Sequence, residues 1–421
     1  MKKIFSLFKL FASQKHMITI FFLGIASGLP LPLSSSTLKL WFSDTTDTSI
    51  ATIGLLGLVS VPYTLKFLWA PLMDRWVPPF LGRRRGWMLI FQLALIFAIA
   101  SFAFLSPETE VQQIAMVAVM VAFCSASLDI ATDAYRTEIL RPDERAMGNA
   151  MGVNGYRIAM LISGGLALVI ADFWSWSALF LTMAFMMLIG VIATFLGPQP
   201  ARDHLAPGTL RECLVEPMKD FAQNKRWFFL LVFIVLYKVG DAFAASLTQT
   251  FLNREIQVSV SEIGVLVKVM GLLGTLVGTT IGALWIPRLG WFRSLWVFGV
   301  AQALSNLIYW NLLWLGKNHW LLAADIFIEN MASGMSTPAI LGLIMSLCNP
   351  KYTAFQFALL TSVGAIGRVF SEPLAGIVVH HWGWEAYFIC SFLLAIPALL
   401  MLLGLKDTIK KVTQQSHFLG R

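Results

Sequence analysis

Repeated apolar runs of about 20 residues or more, joined by short charged turns, limit this chain to very few kinds of fold. Hydrocarbon about 30 Å thick is crossed by about 20 residues of helix. Lipid offers no hydrogen bonds, so an open sheet edge or bare loop cannot sit inside it, and the runs must be helices. Composition agrees: 57% of the 421 residues are apolar and 13% charged, against about a quarter charged in soluble domains. A water-soluble fold is excluded.

The spacing predicts spans at 17–41, 50–70, 87–105, 112–134, 149–171 and 176–197, then at 227–251, 261–285, 291–315, 320–347, 353–379 and 384–405. The reading is an all-α integral membrane protein with about 12 transmembrane helices in two six-helix halves. Its expected parts are an interfacial segment at 1–16, an N-terminal bundle at 17–197, a cytoplasmic linker at 198–226, a C-terminal bundle at 227–405 and a cytoplasmic tail at 406–421. The first segment alternates lysines with Ile4, Phe5, Leu7, Phe8, Leu10 and Phe11, as a helix lying on the membrane surface does. The run from Met17 to Trp41 is too long for a signal-peptide core and lacks an Ala-x-Ala exit, so it reads as a retained span.

Charge placement checks the count. Outside the spans, alternate loops counted from the N-terminus hold the lysines and arginines, and the opposite loops hold only Arg254 and Lys317. By the positive-inside rule both termini are expected to be cytoplasmic. The net charge of +8 is thus explained by topology, and a nucleic-acid partner is not. Cys124, Cys213, Cys348 and Cys390 have no zinc or disulfide spacing, so no metal is expected. No His-Glu-x-x-His, Gly-x-Ser-x-Gly or phosphate-binding Gly-x-x-x-x-Gly-Lys motif occurs, which argues against an enzyme or an ATP-driven pump.

Between the second and third spans, Pro71-Leu-Met-Asp-Arg75 precedes Gly82-Arg-Arg-Arg85, and Gly282 to Arg288 with Arg293 echoes it loosely after the eighth. The first of these resembles the signature loop of the major facilitator superfamily, whose six-helix halves rock around a midplane site. The resemblance implies a conformational role for Asp74, Arg75, Arg83 and Arg84.

An ionisable group near the bilayer centre costs at least about 2.5–3.5 kcal/mol, so such groups mark wet or paired environments. The spans contain Lys39, Lys66, Arg157, Lys238, Lys268 and Arg368 as bases, and Asp129, Asp133, Asp241, Asp325, Glu329 and Glu372 as acids. Asp129 and Asp133, four apart, share a helix face, where one carboxylate favours holding a proton. Lys238 and Asp241 are three apart and can neutralise each other or open to a substrate charge. Lys66, Arg157 and Lys268 lack an acid on their own helix at such spacing. The glycine row Gly271, Gly274, Gly278 and Gly282 predicts close helix packing.

Longer strings carry a sharper resemblance. Gly24-Ile-Ala-Ser-Gly-Leu-Pro30, Lys66 to Arg75, Pro79 to Trp87, Phe123 to Asp129, Gly155-Tyr-Arg157, Leu236 to Phe243, Glu329-Asn330 and Gln356 to Leu360 are similar to strings of the AmpG-type anhydromuropeptide permeases, over nearly all twelve spans. That resemblance implies proton-driven import, across the bacterial inner membrane, of N-acetylglucosaminyl-1,6-anhydro-N-acetylmuramic acid with or without its peptide. It further implies cell-wall recycling, β-lactamase induction and antibiotic resistance as the setting. The proton gradient takes the place of a cofactor, and a monomer is expected.

Such substrates bear carboxylates and sugar hydroxyls. Lys66, Arg157, Lys238 and Lys268 are the expected cations, joined by Tyr63, Tyr156, Tyr237, Gln249, Asn330 and Gln356 as aromatic and amide contacts. Asp129, then Asp241, Glu329 and Asp133, are the expected proton carriers. Two departures stand out: many members of that family have two further helices, and they often place Gln where this chain has Leu128. A symporter for another acidic solute, an acyl-coenzyme carrier and a receptor that binds muropeptide without moving it remain open.

Overall fold

The computed structural model describes residues 14–45, 59, 61–200, 210–222 and 226–419. The expected interfacial segment up to residue 13, residues 50–58 and 60 of the second span and the middle of the linker lie outside the described residues, as do the side chains of Lys39, Arg368 and Glu372. Every regular element among the described residues is helical, as the lipid argument requires.

In chain order the first helices are α1 (Lys15–Gly28), α2 (Pro30–Leu33), α3 (Ser36–Thr45), α4 (Val61–Leu65), α5 (Ala70–Arg75), α6 (Gly82–Ser101), α7 (Val111–Ile139), α8 (Arg145–Leu161), α9 (Ala167–Phe173), α10 (Trp176–Met186) and α11 (Leu188–Leu196). They continue as α12 (Leu210–Ala222), α13 (Trp227–Leu236), α14 (Val239–Arg254), α15 (Val260–Leu289), α16 (Trp291–Asn306), α17 (Asn311–Leu315), α18 (His319–Leu347), α19 (Thr353–Gly404) and α20 (Lys406–Leu419). Inside α19, Gly383 has φ +77° and separates two helical stretches, at the place where the eleventh and twelfth spans were expected to part. Only glycine adopts that backbone without strain.

Eight stretches among the described residues are long and apolar enough to cross a membrane, and they coincide with expected spans 1, 3 to 8 and 12. The other four differ for visible reasons. The second has its first half outside the described residues, apart from residue 59. The ninth is interrupted by a tight turn at Ile308–Trp310. The tenth, α18, carries Asp325, Glu329, Asn330, Ser333 and Ser336 through its length. The eleventh contributes the shorter apolar helix Thr353–Gly364.

The chain forms two compact units. One comprises Met1–Leu140, Met151–Pro217 and Asn349–Ala358; the other comprises Arg141–Ala150, Met218–Cys348 and Leu359–Arg421.

In the first unit, α1 crosses the Met151–Leu161 part of α8 backbone to backbone. A Cβ on Gly24 would strike the Gly152 carbonyl, one on Gly155 the Phe21 carbonyl, and one on Gly28 would lie 2.5 Å from the Tyr156 carbonyl oxygen. Lipid gives apolar helices no hydrophobic reason to associate, so van der Waals contact between close backbones holds such a crossing. Beyond it the helix widens into a π-turn at Ile162–Leu166, and Thr37 donates its hydroxyl to the Ser163 carbonyl at 3.1 Å. That bond satisfies an acceptor at the irregular turn. Trp41, Phe42, Phe102 and Phe180 fill the adjoining core.

The second unit uses the same device on a larger scale. Gly274, Gly278 and Gly282 of α15 face the backbone carbonyls of Phe327, Met331 and Met335 on α18, and Gly271 faces the Asn330 side chain. The glycine row is a packing seam. A capping box between Ser259 and Glu262 starts α15, satisfying two otherwise open backbone donors.

Gly278→Leu is expected to abolish the folded protein, since its side chain would have to occupy the Met331 backbone. Gly271→Ala, whose Cβ would meet only the movable Asn330 amide at 3.4 Å, should melt within a few degrees of the wild type. Melting temperature and monodispersity in detergent test both. Equal stability of Gly278→Leu and the wild type would rule out the seam.

Candidate functional site

Ionisable residues gather at three places, two in the first unit and one in the second. The first is the loop between α5 and α6. Asp74, fully buried, receives Arg84 at 2.6 Å, and the same guanidinium reaches Glu138 of α7 at 2.7 Å. Arg83 donates to the Asp74 carbonyl at 3.3 Å. The Asp74 carboxylate also accepts the backbone N–H groups of Ala354 and Phe355 in the first turn of α19, at 3.3 and 2.9 Å. A helix N-terminus favours an anion through its open N–H groups and its dipole. Arg85 completes the loop by capping the end of α11, donating to the carbonyls of Thr194 and Phe195 at 2.9 Å each. Arg75 makes no ion pair among the described residues.

The second place surrounds Asp129 on α7. Pro71 lacks an N–H and disrupts the helix behind it. Lys66–Leu68 accordingly forms a tight 3-10 turn between α4 and α5. The turn is pinned by Trp69, whose indole N–H donates to Ser127 on α7 at 2.9 Å. Lys66 thereby stands 4.0 Å from Asp133, which accepts from Arg136 at 2.6 Å. The charges of Lys66, Asp133 and Arg136 all bear on the Asp129 carboxylate, and the Ser27 hydroxyl adjoins it. Tyr63 faces Ser34 and Ser125, and Tyr156 completes the group.

The hydroxyls of Ser27, Tyr63, Ser125 and Thr132 complete no well-aligned hydrogen bond among the described residues, although Ser27 lies beside Asp129 and Tyr63 beside Ser34 and Ser125. Each buried, unsatisfied hydroxyl costs about 1–3 kcal/mol. Native proteins keep few of them, and loosely bonded hydroxyls near a buried carboxylate can serve a polar ligand.

The third place is in the second unit, where the seventh span breaks at Tyr237-Lys238 between α13 and α14. The Lys238 ammonium donates to Gln302 Oε1 at 3.0 Å and to Ser336 Oγ at 2.6 Å, and lies 3.6 Å from Asp241. Ser333 donates to Asp241 Oδ2 at 2.8 Å, leaving Asp241 Oδ1 buried without a partner. Tyr237 donates its hydroxyl to the Leu295 carbonyl at 2.9 Å and so anchors the break. Buried Tyr309 lies within electrostatic reach of Asp241, Asp325 and Glu329.

The expected residues thus divide. Asp129, Asp133, Lys66, Tyr63 and Tyr156 come together, as do Lys238 and Asp241. Glu329 accepts from the neighbouring Asn330 amide at 2.7 Å. Arg157, Gln249 and Lys268 are exposed. Gln356 is buried and tied to the backbone, accepting from Asn349 N–H at 2.6 Å and donating to the Pro217 carbonyl at 3.0 Å. Sequence reasoning missed Ser27, Ser125, Gln302, Ser333, Ser336 and Tyr309, because an isolated serine, glutamine or tyrosine in a span carries no charge to notice. A signal did exist on α18: Glu329, Ser333 and Ser336 repeat at helical spacing along one face.

The family model of the Major Facilitator Superfamily matches residues 16–371 and, in a second match, 229–418. The fold is shared with the proton:xylose symporter XylE (TM-score 0.69, 13% identity, 93% of this chain and 95% of that one) and the fucose:proton symporter FucP of E. coli (TM-score 0.69, 13% identity, 92% and 96%). The chain belongs to the Major Facilitator Superfamily, as a multi-pass membrane transporter of the anhydromuropeptide-permease type. It is 44% identical, over 97% of its length and 83% of the relative's, to the anhydromuropeptide permease of Escherichia coli (strain K12).

Arg84→Met strips two buried carboxylates of their shared cation and is expected to destabilise the protein by about 3–5 kcal/mol. Arg75→Gln should change little. Chemical or thermal unfolding in detergent separates the two, and parity between them would show that the Asp74–Arg84–Glu138 group contributes nothing to stability.

Proposed function

We propose that this chain imports N-acetylglucosaminyl-1,6-anhydro-muropeptides from the periplasm to the cytoplasm across the bacterial inner membrane, driven by protons. The observation that carries the reading is the 44% identity to a permease named for that substrate, maintained along 97% of the chain. Such a match leaves no large part of the chain for a different task. The two charged groups within the membrane support it chemically. A muropeptide brings carboxylates and sugar hydroxyls, which need fixed cations and hydrogen-bonding groups in place of water.

In this reading the halves 17–197 and 227–405 alternate access to a shared substrate, with both termini in the cytoplasm and a single chain sufficient for transport. Lys238 binds a substrate carboxylate. At rest its ammonium is held by Gln302, Ser336 and Asp241, so the substrate anion exchanges for partners already positioned around the cation. Within the first unit, Lys66, Tyr63 and Tyr156 are the candidate substrate contacts. Asp129 carries the proton. Lys66, Asp133 and Arg136 stand on the same side of α7 as its carboxylate, with Lys66 4.0 Å and Arg136 2.6 Å from Asp133, so a substrate anion that engages Lys66 changes the charge that Asp129 meets. Asp241, Glu329 and Asp133 are secondary candidates for the same role.

The test is uptake of labelled anhydro-disaccharide tripeptide into proteoliposomes, with and without an inward proton gradient. Wild-type uptake should rise with the gradient. Asp129→Asn should lose that stimulation while still exchanging substrate, because the neutral amide mimics the protonated acid. Lys238→Gln should weaken substrate binding by about tenfold or more, as expected when a charge-assisted hydrogen bond worth about 1.5–3 kcal/mol is lost. Gradient-independent wild-type uptake would overturn proton coupling. Binding without uptake would make the chain a receptor, and indifference to muropeptide beside transport of another acid would overturn the substrate.

A further inference from the structure

A cavity of about 420 Å³ opens in the second unit, where α16 begins and α20 begins. Its lining includes Gly290, Trp291, Phe292, Arg293, Lys406 and Lys410. We propose that this cavity binds the phosphodiester headgroup of an anionic phospholipid.

Three cations from two separate helices converge on it, and no acid lines it. Asp407, next to Lys406 on α20, is absent from the lining. Among the described residues, Arg293 and Lys410 have neither an ion pair nor a side-chain hydrogen bond. Lys406 rests over the Phe292 ring at 5.7 Å. These charges are therefore not spent on the fold itself.

The backbone adds to the cations. Gly290 is the N-cap of α16 and has no side chain with which to cap it. With φ +76° and nothing within 4 Å of where its Cβ would be, it turns the chain sharply and leaves open space there. The first turn of this 16-residue helix lines the same cavity as the cations, and no side chain caps its N–H groups. Cations and open helix N–H groups together suit a phosphate.

Position selects the lipid over a free anion. Apolar membrane-crossing stretches end at Leu289 and at Gly404, immediately before the two lining segments. The cavity therefore sits at the level where headgroups lie. Trp291 and Phe292 are suited to that boundary. α20 is built to lie along it, with Ile409 and Thr413 buried and Lys406, Lys410 and Lys411 exposed. Basic pockets beside membrane helices attract anionic headgroups at about 1 kcal/mol for each cation near the surface. A volume of about 420 Å³ also lies within the range of about 300–1,000 Å³ usual for small-ligand sites.

The experiment titrates the purified full-length chain in detergent with phosphatidylglycerol, phosphatidylcholine or inorganic phosphate. Retained lipid is counted by native mass spectrometry and melting temperature is followed in parallel. One tightly retained phosphatidylglycerol and a raised melting temperature are expected, with neither effect from phosphatidylcholine or inorganic phosphate. Arg293→Gln with Lys410→Gln should weaken that lipid by roughly thirtyfold, about fivefold for each cation. Lys411→Gln, on the same helix but outside the lining, should bind as the wild type does and so controls for folding of α20. Unchanged retention in the double variant overturns the site. Equal retention of phosphatidylcholine overturns the charge recognition, and displacement of the lipid by equimolar inorganic phosphate assigns the cavity to a free anion.

Discussion

Hydrocarbon supplies no hydrogen bonds, and that single lack organises the molecule. Each backbone group within the membrane must be satisfied by its own helix or by a neighbour, so the fold is helical and irregular points call for partners. The π-turn at Ile162–Leu166 has Thr37 on the Ser163 carbonyl. The break at Tyr237-Lys238 is anchored through the Tyr237 hydroxyl. The loop between α5 and α6 is stitched by Arg83, Arg84 and Arg85 to carbonyls and carboxylates on α5, α7 and α11.

With apolar surface no longer a force for association inside lipid, contact must come from close approach and from polar groups. Glycine provides the first, at α1 against α8 and at α15 against α18. Buried ions provide the second, and they fall into two kinds. Asp74, Arg84 and Glu138 are tightly matched, with short distances and little exposure, as suits a structural group. The groups around Asp129 and Lys238 are looser: Lys66 meets Asp133 at 4.0 Å, and Asp241 keeps one oxygen unpartnered. Incomplete satisfaction costs stability, and it accords with a transporter whose polar groups must release one partner to take another.

Both loose groups sit where a helix is interrupted, Lys66 on a 3-10 turn and Lys238 between α13 and α14. Interruptions free backbone groups and aim side chains away from the regular helical face. Discontinuous helices are used in this way in many transporter folds.

Much of this was legible in the sequence. Apolar run length dictated membrane helices, since the cost of exposing backbone to lipid leaves no other structure. Charge asymmetry dictated an expected topology, the glycine row its packing seam, and embedded charges such as Asp129 and Lys238 stood out because their burial is costly wherever they lie. Pairings between distant parts of the chain could not be read, because they depend on which helix faces lie together. That Arg84 serves both Asp74 and Glu138, that Gln356 is engaged by backbone, that Ser336 and Gln302 hold Lys238, and that Arg293 and Lys410 share one cavity were decided only by tertiary structure. Local pattern specifies what a segment must be in lipid; the direction of each side chain depends on helix rotation and crossing, which only packing of the whole chain determines.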